Sequence, residues 1–87
     1  MAANPGELKA AVNAVISQIK ESQAGLHTAG ERLGAALLGG IAATRGSSHV
    51  DTGNALAAVR LASEKVDEAR GSTADAITLY EGYIAGL

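Results

Sequence analysis

The sequence predicts an all-α protein built as an antiparallel helical hairpin, with helices over about 5–45 and 52–86, and three observations lead there. Apolar or small residues recur at alternating spacings of four and three through two long stretches. A segment rich in Gly, Ser, Asp and Thr parts the two stretches. No run of residues reads as a strand. The 87 residues are taken as one domain, 1–87.

The first helix opens at Asn4-Pro5-Gly6-Glu7. Asn4 caps free amides, Pro5 suits the first helical position, and Glu7 is placed for a capping box and the helix dipole. From there a seam runs through Leu8, Val12, Val15, Ile19, Ser22, Leu26, Ala29, Leu33, Ala36 and Gly40. The helix is expected to end near Thr44 or Arg45, because Gly46 fits the left-handed position that follows a helix.

Arg45 to Gly53 reads as the loop, after which Asp51 or Asn54 caps the second helix. Its seam is Ala55, Val59, Ala62, Val66, Ala69, Thr73, Ala76, Tyr80, Tyr83 and Leu87, with Arg60, Glu64, Asp67, Asp75 and Thr78 on the opposite face. Folded back on one another, the two seams place Leu8 opposite Leu87 and Gly40 opposite Ala55, which centres the turn between Ser47 and Ser48. Small residues then meet larger ones near the loop, and the polar positions Ser22 and Thr73 form one polar layer, a hydroxyl pair or a bound water.

That level is also where the helices are weakest. Gly25 and Gly30 each cost about 1 kcal/mol relative to alanine, and Gly71-Ser72-Thr73 can end one helix and cap another. The alternatives are two long helices with a break or kink near 22–30 and 71–73, or a bundle of three or four shorter ones.

Composition argues for a partner. Hydrophobic residues make up 47% of the chain, yet 19 of them are alanine, and there is no Phe, no Trp and only two Tyr. Alanine buries little area, so the seam alone makes a thin core. Ile16, Leu37, Leu38 and Ile41 flank the first seam, and Leu56, Leu61, Ile77, Leu79 and Ile84 flank the second. Ile16, Leu37, Leu38, Ile41, Leu56, Leu61, Ile77 and Ile84 are therefore the expected interface with a second hairpin. The product is a homodimeric four-helix bundle, or a complex with a related helical protein.

The candidate chemistry is sparse. A net charge of -2 with seven scattered basic residues lacks the stripe that phosphate binding demands, so nucleic acid is not an expected partner. His27 and His49 stand apart from other ligands, so no metal site is expected, and no cofactor is implied. Ser47, Ser48, His49 and Asp51 carry the residue types of a hydrolytic site, but as a turn and cap they give no catalytic residue. Glu64, Lys65, Asp67, Glu68 and Arg70 read as a solvated face. The longest apolar run, Gly34–Ala43, is too short to span a bilayer, and Met1 to Lys9 lacks the pattern of a cleaved signal peptide. A cytoplasmic, non-enzymatic protein is expected.

In length, acidity, alanine content and hairpin form the chain resembles the small Trp-x-Gly hairpin proteins exported by type VII secretion systems. Its turn, Arg45-Gly46-Ser47-Ser48-His49, has no Trp-x-Gly, and neither Tyr80 nor Tyr83 has an acid four residues later. The resemblance implies a divergent relative, a partner or adaptor of a larger effector, with export in question. The residues thus give two functional expectations, a self-associating interaction protein and an immunity-type regulator or small-ligand module using a cavity at the Ser22/Thr73 level.

Overall fold

The computed structural model describes residues 4–87 and shows two antiparallel helices, α1 (Pro5–Ala43) and α2 (Val50–Ala85), packed along their length. Residues 1–3 of the stretch weighed as a signal peptide lie outside the described residues. Neither helix is interrupted at 22–30 or 71–73, so the glycines are carried inside continuous helices. Their cost of about 1 kcal/mol each is offset by the pairing of two faces more than 35 residues long. The hairpin is a rod of 64 × 20 × 16 Å. Its radius of gyration, 19.6 Å, compares with about 12 Å for a compact domain of this length.

The ends of α1 follow its sequence. Asn4 Oδ1 accepts from the Glu7 amide at 2.8 Å, and Gly46 adopts a φ of 83° just past the helix, where an L side chain would be strained. The Thr44 hydroxyl donates back to the Gly40 carbonyl at 2.7 Å. α2 starts earlier than its composition suggested, and its cap is neither Asp51 nor Asn54. The Nδ1 of His49 accepts from the Asp51 amide at 3.1 Å, so an imidazole takes the place a short polar side chain usually fills. The Ser47 hydroxyl accepts from the His49 amide, and the Thr52 hydroxyl donates to the His49 carbonyl. The predicted loop residues are thus used as cap and turn.

The seam departs from its expected course at Val15, Ser22 and Ala36 in α1 and at Ala55 and Tyr83 in α2, where the shielded residue lies one later, while Ala29, Ala62, Ala69 and Ala76 stay half-buried. In α1 the shielded residues are Leu8, Val12, Ile16, Ile19, Gln23, Leu26, Ala29, Gly30, Leu33, Gly34, Leu37 and Gly40; in α2 they are Thr52, Leu56, Val59, Ala62, Ser63, Val66, Ala69, Thr73, Ala76, Ile77 and Ile84. Ile16 replaces Val15, Leu37 replaces Ala36 and Leu56 replaces Ala55, and Ile77 is buried beside Ala76. Each exchange puts a bulkier aliphatic group between the helices. At about 25 cal/mol per Å² of apolar area buried, the helices gain by turning those side chains inward and letting the alanines rotate to the edge. Ile16 and Ile77 are the two buried hydrophobic residues, at 5% and 7% exposure.

Register stays close to expectation. A Cβ at Gly40 would approach Leu56, and one at Gly30 would approach Val66, so both pairs centre the hairpin on Ser48. That is half a residue beyond the predicted centre. The glycines sit where a branched side chain crosses from the other helix.

Candidate functional site

The interface residues expected from sequence do not form one surface. Ile16, Leu37, Leu56, Ile77 and Ile84 are buried or half-buried, and by their positions they belong to the hairpin's own seam. The correction follows from the rotation just described, because the largest aliphatic groups are consumed in joining α1 to α2. Leu38 and Leu61 remain well exposed, at 71% and 54%, and Ile41 more marginally at 37%. Leu38 and Ile41, three residues apart, share one side of α1, and Leu61 stands on the other helix. Tyr80, Tyr83 and Leu87, assigned to the seam, are instead exposed, as are Val15 and Leu79.

The polar layer at Ser22 and Thr73 is also corrected. Ser22 is exposed and donates to the Gln18 carbonyl of its own helix at 3.1 Å, while Thr73 donates to the Arg70 carbonyl at 2.9 Å. Serine and threonine hydroxyls reach carbonyls three or four residues back within a helix, and that local bond is made here in place of a pair across the hairpin. Gln23, one residue on, takes the half-buried place.

Rotation of the alanines to the edge gives the hairpin two unlike faces. One is charged. Lys20, Gln23, His27, Asp67 and Arg70 surround an open hollow near its middle. Arg70 Nη2 lies 3.3 Å from His27 Nδ1, and His27 Nε2 lies 2.6 Å from Glu31 Oε1. A guanidinium only donates, so Nδ1 is the acceptor in that contact, and Nε2 faces the Glu31 carboxylate. These groups are exposed, and the tie contributes below about 1 kcal/mol. Lys65 and Glu68, 3.4 Å apart, form another solvated pair.

The opposite face is largely apolar, with the exposed Arg32 and Lys65 interrupting it near the middle by helical position. By helical position Ala29, Ala36, Ala55, Ala62, Ala69 and Ala76 lie along it. It carries two shallow hollows. Ala76, Leu79, Tyr80 and Tyr83 line one at the terminal end; Ala36, Gly40, Ala55, Leu56 and Val59 line the other at the loop end, with Asp51 at its edge. Sequence reasoning missed this face because it counted the exposed Ala36, Ala55, Tyr80 and Tyr83 as buried seam, whereas Ala29, Ala62, Ala69 and Ala76 are half-buried at its edge. At the loop end the readable signal was the larger aliphatic neighbour, Leu56 beside Ala55 and Leu37 beside Ala36.

Among the described residues no three His, Cys, Asp or Glu side chains gather as a metal site, and no helix is long and apolar enough to cross a membrane. The described surface is apolar along much of one broad side and charged on the other. Comparison with protein-family models, with curated proteins and with solved structures finds no match for the chain.

Proposed function

We propose that the protein is a non-enzymatic interaction module whose working unit is a homodimer, two hairpins joined as a four-helix bundle. The supporting observation is its accessible surface. The chain exposes 6067 Å², whereas a compact monomer of this mass exposes about 4,700 Å². The excess, roughly 1,300 Å², is larger than the ~800 Å² per partner of an ordinary stable interface. Nine large hydrophobic residues are exposed among those described, while two are buried. A rod with that balance gains most by covering one side. The role we assign to the dimer is that of adaptor or companion to a larger effector, and the hairpin length it shares with type VII hairpin proteins supports this.

Light scattering over a hundredfold range of concentration tests the proposal. A mass of two chains at the upper end, with a melting temperature that rises with concentration, is the expected result. A monomer throughout, with a cooperative and concentration-independent melt, overturns it.

A further inference from the structure

Resting on the self-association reading, we propose that the second copy lies antiparallel on the alanine-rich face, so that Tyr80 and Tyr83 of each copy seat on the small-residue hollow around Ala36, Gly40 and Ala55 of the other. The face is graded in size along its length. Its terminal end carries Val15, Leu79, Tyr80 and Tyr83, all exposed, and its loop end carries Ala36, Gly40 and Ala55 around an open apolar hollow. A two-fold axis crossing the face at right angles to the rod brings each large end over a small end, twice, which is the self-complementarity a two-fold dimer requires. An axis along the rod instead leaves the small ends facing each other across a gap, and unfilled apolar space costs contacts.

The rest of the face fits the same arrangement. Near the axis it presents the half-buried Ala29 and Ala69, small enough for the helices to approach closely, with the long side chains of Arg32 and Lys65 exposed beside them. Ser22, which has no partner across its own hairpin, falls over Ala36 of the other copy and keeps its bond to the Gln18 carbonyl. Asp51 stands at the edge of the loop-end hollow with an exposed carboxylate, an acceptor for a tyrosine hydroxyl arriving there. The charged hollow around Lys20, His27, Asp67 and Arg70 stays in water on the far side. The area needed is present, since the surplus of roughly 1,300 Å² exceeds one partner's share of a stable dimer.

The chain has no cysteine, so single-cysteine variants report cleanly. Leu79→Cys and Ala55→Cys are made in separate chains, checked for unchanged helicity by circular dichroism, mixed, and treated with a short bismaleimide. Along one helix these positions are about 36 Å apart, so a Leu79–Ala55 link can form only between copies. The expected result is efficient heterodimer linkage from that mixture and little from Leu79→Cys mixed with Val15→Cys. Tyr80→Ala with Tyr83→Ala weakens dimerisation about tenfold or more, while Leu38→Ala leaves it unchanged. Linkage of Leu79→Cys to Val15→Cys instead, or to neither in a chain that scatters as a dimer, overturns the antiparallel arrangement. A monomer by light scattering overturns the self-association reading on which it stands.

Discussion

A Cβ added at Gly40 would lie 3.1 Å from Cδ2 of Leu56 on the other helix. The contact is tighter than ordinary packing, and Leu56 would have to yield by a few tenths of an ångström. Replacing a mid-helix glycine by alanine is worth about 1 kcal/mol in backbone entropy and propensity. At Gly40 that gain meets the crowding of Leu56, and Gly40→Ala is expected to be close to neutral. Gly39→Ala and Gly71→Ala face open space and should each stabilise the protein by about 0.5–1 kcal/mol, raising the melting temperature by several degrees. Urea melts of the three variants check the contrast, and equal gains at all three would place Leu56 away from Gly40.

Ile16 and Ile77 should be the most costly side chains to truncate. Each is nearly shielded from water in a seam with few large groups, so Ile16→Ala or Ile77→Ala is expected to remove about 2–3 kcal/mol. Leu38→Ala, at an exposed position, should change stability by no more than about 0.5 kcal/mol. Equilibrium unfolding followed by circular dichroism measures both, and a loss at Leu38 as large as at Ile16 would reverse the assignment of the seam.

Because the hydroxyls of Ser22 and Thr73 each bond to a carbonyl of their own helix, the two sites should act independently. The stability change of Ser22→Val combined with Thr73→Val is expected to equal the sum of the single changes within about 0.5 kcal/mol. A double-mutant cycle with a coupling above about 1 kcal/mol would show that the hydroxyls meet.

Asn4 holds the first turn of α1 through the Glu7 amide. Asn4→Ala should cost about 1 kcal/mol and speed amide exchange in the residues that follow, while leaving α2 unaffected. Exchange followed by NMR separates this local fraying from a global loss, which would spread the change over both helices.

The local features of the hairpin were legible in the amino acids themselves. Asn4-Pro5 opens a helix because a side-chain oxygen and a ring without an amide hydrogen suit its first turn, and Gly46 closes it because a positive φ costs glycine nothing. The Ser-rich turn between two long apolar periodicities fixed the antiparallel order and the centre of the hairpin to within a residue. Periodicity could not choose between Val15 and Ile16, or Ala55 and Leu56, since both members of each pair continue a four-three spacing. Only the packing of one helix on the other made that choice, in favour of the larger aliphatic side chain at these two positions. With it came the faces of the molecule: the charged side around His27 and Arg70, and the apolar side from Tyr83 to Gly40. These are properties of how far each helix turns about its own axis, and that rotation is set by the total area buried between two surfaces, a quantity no single stretch of sequence contains.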